Sequence, residues 1–213
     1  MNLANTLTLL RIILAPVFFV IYLLPKFFPS IFSGGCSCGG LSITDWTVPV
    51  LWIVFIVSEI TDYFDGLAAR KLKLTSDFGK LFDPFADTLM QITCLLCFII
   101  DDIYSAGIVP AILFLLVIYR EFGILFIRNL MLKKGITLGA RIGGKIKTVL
   151  YITAIGAALL VSSFERLYIY RDILPFLRTG AFMIFVISVI AAAASFIDYY
   201  IIYRKTEKNR QEG

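Results

Sequence analysis

The stretch DYFDGLAARKLKLTSDFGKLFDPFADTLMQ, residues 62–91, sets four carboxylates, Asp62, Asp65, Asp83 and Asp87, beside or inside apolar runs. On a helix, Asp62 and Asp65 point roughly the same way, and Asp87 lies one turn beyond Asp83. A carboxylate near the interior of a bilayer costs roughly 2.5–3.5 kcal/mol, and like charges gathered together add repulsion. The group therefore needs counter-charge, and the nearby Arg70 is too little for it. A bound divalent cation is the economical answer. The chain has no histidine, which excludes Ser-His-Asp and Cys-His catalysis and His-bound zinc. Oxygen-only ligands select magnesium, manganese or calcium, and paired metals sharing a carboxylate typically serve phosphoryl chemistry.

Gly66 and Ala69 remove side-chain bulk where a ligand or another backbone could approach closely. Asp83 directly precedes Pro84, which suits the N-cap and first position of a helix, so a third helix is predicted to begin there. Asp77 reads as a solvated loop charge. A second polar set follows downstream: Arg120, Glu121 and Arg128, then GARIGGKIKT with Arg141, Lys145, Lys147 and Thr148. Arg120 falls within an apolar run, where an unpaired charge is costly. One reading pairs it internally with Glu121 or another acid. The other joins it to Arg141, Lys145 and Lys147 as a phosphate pocket, because guanidinium forks and ammonium point charges suit phosphate oxygens. The loop lysines alone also read as a solvated patch beside the membrane.

Membrane-spanning helices must position these groups. Of 213 residues, 59% are hydrophobic and 16% charged, with a mean hydropathy of +0.88; soluble domains are about half apolar and about a quarter charged. Apolar runs at about 7–25, 46–70, 82–100, 107–132, 145–164 and 177–203 predict six transmembrane helices. The expected class is an all-α integral membrane protein with an N-terminal juxtamembrane segment. One polytopic domain covers residues 1–203, and a polar tail covers 204–213. The N-terminal run lacks a basic leader and a small-residue cleavage site, which predicts a retained first helix. Lys and Arg crowd the connections after the second, fourth and sixth runs. That bias places both termini and the acidic motif on the cytoplasmic side of the cell (inner) membrane. The net charge of +5 therefore speaks for anionic headgroups, not for nucleic acid.

Trp46, Tyr104, Tyr168, Tyr170, Tyr199, Tyr200 and Tyr203 fit an interfacial aromatic belt. Cys94 and Cys97 read as packing residues, and Cys36 and Cys38 fall in a Gly-rich loop, where a C-x-C bridge would be strained. The segment around Arg166, FERLYIYRD, reads as a charge-balanced outer connection. A cation channel or transporter is the rival class, with the acids lining an ion path. Against it, the acids cluster at one membrane face, and no broken-helix repeat accompanies them.

Asp62, Asp65, Gly66, Ala69, Arg70, Gly79, Asp83 and Asp87 match every fixed position of D-x2-D-G-x2-A-R-x8-G-x3-D-x3-D. By this signature the chain resembles the CDP-alcohol phosphotransferase family, and the six-span plan extends the likeness over most of its length. The resemblance implies a cytoplasm-facing site with two Mg2+ (or Mn2+) ions. Asp62, Asp65 and Asp83 would bind one ion, and Asp62, Asp83 and Asp87 the second, with Asp87 also the general base. Gly66 and Ala69 would leave room for cytidine, and Gly79 would let the loop close over it. Arg70 and Ser76 would contact the diphosphate of CDP-diacylglycerol, and Asn5 and Thr8 would complete the nucleotide site. Membrane lipids and a homodimeric partner are further expectations carried by the family.

The stretches NTLTLLRIILAP, YREFGILFIRNL and GGKIKT resemble the branch of that family whose acceptor is glycerol 3-phosphate. A cationic pocket of Arg120, Arg141, Lys145 and Lys147 would take the acceptor phosphate. Ala4 stands where that branch usually has Pro, and Thr88 where Lys commonly follows the last Asp. Inositol phosphate, phosphatidylglycerol and choline therefore stay open as acceptors.

Overall fold

The computed structural model of the chain describes residues 3–28, 37–38, 41–42, 46–72, 77–101, 105, 107–133 and 142–211. Within these, the side chains at 3–5, 37–38, 41–42, 63–72, 77–81, 83, 132, 142, 145 and 208–211 fall outside the description. Six α-helices dominate: α1 (Leu3–Phe27), α2 (Thr47–Leu72), α3 (Asp77–Ile100), α4 (Ala111–Lys133), α5 (Ile142–Arg166) and α6 (Leu174–Gln211). Between α1 and α2 the segments Ser37–Cys38 and Leu41–Ser42 pair antiparallel, so Cys38 sits opposite Leu41 in a short ribbon, not in a plain loop. Cys36 lies outside the described residues.

Among the described residues three helical stretches are long and apolar enough to cross a bilayer: Thr6–Phe27, Ile146–Arg166 and Leu174–Glu207, with hydropathies of 2.4, 1.7 and 2.4. Pro84–Ile100 is a shorter apolar run. In α2 and α4, charged residues interrupt the greasy sequence, yet both turn an apolar face outward. Ile53, Ile56 and Ile60 are exposed on α2, and Ile112, Leu116, Phe122 and Phe126 on α4. Outward apolar faces around a polar interior suit lipid as the surrounding solvent. The molecule is an all-α integral membrane protein.

The helix α1 packs against α2 and α3, α5 forms a long pair with α6, and α4 lies along α6. The core between them holds Phe18, Tyr22, Leu51, Met90, Leu95, Phe98, Tyr151, Ile155 and Phe185, with Cys94 and Cys97 buried among them as free thiols. Gly123 lets α4 and α6 meet closely: a Cβ there would stand 2.8 Å from Cε2 of Phe196. One turn before it, Arg120 donates from Nε to the Ala192 carbonyl of α6 at 3.2 Å.

The start of α3 differs from expectation. The helix begins at Asp77, so Pro84 lies inside it and Asp83 is not its N-cap; nor is Asp77 a loop residue. Phe78, Leu81, Phe82 and Phe85 recur at helical spacing upstream and across the proline. The Phe82 and Phe85 rings pack edge-on at 6.4 Å, spanning the position where Pro84 removes a backbone donor.

Arg166 differs as well. It belongs to the last turn of α5 and is 4% exposed, not a residue of an outer loop. Its guanidinium donates to the Tyr22 carbonyl at 2.9 Å, to Thr47 at 3.2 Å and to Ser162 at 3.3 Å, and it pairs with Asp101 at 3.4 Å. It also stacks 4.3 Å above the Tyr22 ring. Tyr22 in turn shares a 2.8 Å hydrogen bond with Ser162. A buried cation is tolerable only when its donors are satisfied, and here they tie α1, α2, α5 and the end of α3 together. Trp46, Tyr168, Tyr170 and Tyr200 are exposed, in keeping with an aromatic belt; Tyr199 is buried, and Tyr104 lies outside the described residues.

Candidate active site

One cavity of about 390 Å³ brings together members of the two polar sets that the sequence separates. Asp62 enters it from α2; Pro84, Asp87 and Thr88 from α3; Arg120, Glu121 and Arg128 from α4; Gly144, Lys147 and Thr148 from α5; and Tyr199 from α6. The carboxylates of Asp62 and Asp87 thus share a space with the cations Arg120, Arg128 and Lys147.

Asp62 is fixed from α1. Arg11, only 1% exposed, directs Nη1 to Asp62 Oδ1, while the Asp62 side chain stays 42% exposed. A lone arginine within an otherwise apolar run was the signal for this partner, and nothing in local spacing says which acid it meets. Thr8, a turn before Arg11, is fully buried and does not line the cavity.

Asp87 accepts a 3.0 Å hydrogen bond at Oδ1 from the amide of Gln91, one turn along α3. Gln91 accepts in turn from Lys147 Nζ at 3.3 Å. Lys147 pairs with Glu121 at 2.8 Å and stands 4.4 Å above the Tyr151 ring. Glu121 also binds Arg120 at 2.8 Å. Arg120 is therefore ion-paired internally, as one of the two sequence readings has it, and it also lines the cavity. Its remaining bonds run to Ala192 and, at 3.2 Å, to Ser195. Among the described residues three of the five guanidinium N–H groups are so engaged, and two are left for a ligand.

Arg128 donates to the Tyr199 hydroxyl at 3.2 Å and lies 5.5 Å from that ring's centre. Its Nε is buried and makes no hydrogen bond among the described residues. An unsatisfied buried donor costs about 1–3 kcal/mol, so a donor of this kind at a cavity wall suits an anionic ligand. Sequence reasoning grouped Arg128 with the polar set without giving it a role. It set Tyr199 in the aromatic belt, whereas Tyr199 is 1% exposed and lines the cavity. Among the described residues Glu121 is the one acid set against Arg120, Arg128 and Lys147 on this side of the cavity, so the α4–α5 wall keeps a surplus of positive charge.

The other expected site residues are located only in part. Asp65, Gly66, Ala69 and Arg70 belong to α2, Gly79 and Asp83 to α3, Lys145 to α5 and Asn5 to α1, with side chains outside the described residues. Ser76 and Arg141 lie wholly outside them. Among the described residues no three His, Cys, Asp or Glu side chains are gathered for a metal ion. The donors that line the cavity nevertheless fit a hard divalent cation. The acidic donors are the carboxylate oxygens of Asp62 and Asp87, brought in by two different helices, and no sulfur or imidazole competes.

The sequence model of the CDP-alcohol phosphatidyltransferase family matches residues 1–194. A relative from Treponema pallidum, named CDP-diacylglycerol--glycerol-3-phosphate 3-phosphatidyltransferase, is 35% identical over 203 residues, covering 93% of this chain and 88% of its own. A Bacillus subtilis protein of the same name is 36% identical over 163 residues, 75% of this chain and 77% of its own. One from Wigglesworthia glossinidia brevipalpis is 29% identical over 212 residues, 98% and 99% of the respective chains. Enzymes of this family are generally metal-dependent, in keeping with the oxygen donors at the cavity. With a match over nearly its whole length, this chain belongs to the CDP-alcohol phosphatidyltransferase family.

Proposed function

We propose that the protein transfers the phosphatidyl group of CDP-diacylglycerol to sn-glycerol 3-phosphate, forming phosphatidylglycerophosphate and releasing CMP. The observation that carries this reading is the single cavity where Asp62 and Asp87 face Arg120, Arg128 and Lys147. Acids that suit a metal-bound diphosphate and cations that suit an anionic acceptor stand across one space. The relatives named for this reaction support the same substrates.

Asp62, Asp65 and Asp83 would hold one divalent ion, and Asp62, Asp83 and Asp87 a second, both Mg2+ or Mn2+. Bound there, the ions supply screening of the diphosphate charge and stabilisation of the departing CMP. Asn5, Thr8, Gly66, Ala69, Arg70, Ser76 and Gly79 bind the CDP-lipid in this reading. Thr8 would act from within the packed α1, not at the cavity wall. Arg120 and Lys147, with Arg141 and Lys145, hold the acceptor phosphate, and Arg128 joins them through its spare donors.

Asp87 takes the proton of the acceptor hydroxyl as that oxygen attacks the lipid-bearing phosphorus. The new P–O bond forms as the bond to CMP breaks, so the electron pair leaves with the nucleotide phosphate. Lys147 and Arg120, anchored through Glu121, keep the acceptor phosphate on the α4–α5 side, and its hydroxyl end is left toward Asp87.

The active site and both termini lie on the cytoplasmic side of the inner membrane in this reading, as the basic connections favour. The working unit is a homodimer. The deciding experiment incubates purified protein in detergent with CDP-diacylglycerol, Mg2+ and glycerol 3-phosphate, inositol phosphate, phosphatidylglycerol or choline, and follows CMP. Release with glycerol 3-phosphate above the others supports the proposal. Preference for another acceptor overturns the acceptor assignment, and ion flux without CMP release overturns the enzyme reading.

A further inference from the structure

Gln91 is 2% exposed on α3 and belongs to neither polar set singled out in the sequence. Its amide links two charged neighbours of opposite sign. Nε2 donates to Asp87 Oδ1 at 3.0 Å, and Oε1 accepts from Lys147 Nζ at 3.3 Å. The chemistry of those neighbours fixes the orientation, because an ionised carboxylate only accepts and an ammonium only donates. A flipped amide would set oxygen against oxygen and nitrogen against nitrogen. Lys147 cannot swing away, since Glu121 holds it at 2.8 Å, and Arg120 holds Glu121 at 2.8 Å. A continuous chain of hydrogen bonds and ion pairs therefore runs from Arg120 of α4 through Glu121, Lys147 and Gln91 to the Asp87 carboxylate.

We infer that Gln91 is a positioning residue for the transfer: it occupies one oxygen of Asp87 and so presents the other to the acceptor hydroxyl. The inference rests on the assignment of Asp87 as the base. Without the amide, the carboxylate of Asp87 is free to rotate about its last torsion, and Lys147, relieved of Gln91, lies beside it as a competing partner. Gln91 thereby keeps the base from being captured by the cation that serves the acceptor phosphate. Groups set by partners of this kind typically lose roughly 10- to 100-fold in activity when the partner is removed.

The test compares kcat and both KM values in the full-length protein for Gln91→Met and Gln91→Glu. Met conserves volume and loses both hydrogen bonds; Glu still accepts from Lys147 but, ionised, cannot donate to Asp87. The expected result is a fall in kcat of roughly 10- to 100-fold in both variants, with both KM values within about twofold of the parent. A parental kcat in Gln91→Met would reduce the residue to core filling and overturn the inference. Recovery of the rate in Gln91→Glu would assign it to holding Lys147 and overturn it equally. Should either variant fail to fold, Gln91→Asn, whose amide is one methylene short, replaces it under the same expectation. Asp87→Asn is assayed in parallel. Activity retained there defeats the base assignment itself, whereas an inactive Asp87→Asn beside an unimpaired Gln91→Met defeats only the role of Gln91.

Discussion

Arg11 of α1 and Asp62 of α2 form an ion pair whose two ends differ in surroundings: the arginine is enclosed at 1% exposure, and the carboxylate opens to the cavity at 42%. The first helix thereby places a fixed positive charge behind the first acid of the motif. In the absence of a divalent ion the guanidinium provides the counter-charge for Asp62. A divalent ion held by Asp62, as proposed, would compete with the guanidinium for the same oxygens.

Replacing Arg11 with Met removes the competitor. The Mg2+ concentration for half-maximal CMP release is expected to fall, and the metal-free protein to lose about 1.5–3 kcal/mol of stability, the usual worth of hydrogen bonds to charged groups. A magnesium titration of activity and thermal unfolding in EDTA measure the two effects. An increased magnesium requirement would show that Arg11 organises the metal ligands and does not compete with them.

Arg120 reaches the cavity with two N–H groups unengaged among the described residues, while its other donors are spent on Glu121, Ala192 and Ser195. Arg120→Ala is expected to raise the KM for glycerol 3-phosphate by roughly 10-fold or more, the equivalent of losing a charge-assisted bond, and to leave the KM for CDP-diacylglycerol near the parental value. Steady-state kinetics with each substrate varied in turn decide it. Equal effects on both constants would remove Arg120 from the acceptor pocket.

Arg166 and Asp101 are 4% and 3% exposed, away from the residues that line the active-site cavity. Breaking such a buried pair by removing one partner costs about 3–5 kcal/mol. Arg166→Met should lower the thermal midpoint in detergent markedly, while the fraction that remains folded keeps the parental KM values. A parental midpoint would mean that Asp101 and Tyr22 find other partners.

The helices and the acidic motif were legible in the sequence because both are local properties. Apolar runs set helix length, and spacings of three and four residues set which acids share a helical face. The start of α3 was misplaced for a physical reason. Asp83-Pro84 is a good initiation signal in isolation, but the Phe78, Leu81, Phe82 and Phe85 pattern carries the helix through it. What local rules could not supply were the long-range partnerships. Arg11 with Asp62, Lys147 with Gln91 and Arg166 with Asp101 join residues on different helices. The hydrophobic pattern around each of them is compatible with many pairings. Tyr199 was set aside for the same reason, since an aromatic near a helix end looks alike whether it meets lipid or a cavity. Glu121 was legible as a partner of Arg120, but its bond to Lys147 needed α4 and α5 side by side.

In the proposed reaction Asp87 removes the acceptor proton while Arg120 and Lys147 hold the acceptor, in a cavity whose carboxylates would serve a divalent metal. The most direct measurement is CMP release by Asp87→Asn alongside its binding of CDP-diacylglycerol, each with Mg2+ and with EDTA. Turnover is expected to be abolished and CDP-lipid binding in Mg2+ largely kept, with EDTA abolishing the parental activity until Mg2+ is restored. Parental turnover in Asp87→Asn, or CMP release indifferent to EDTA, would contradict the proposed reaction.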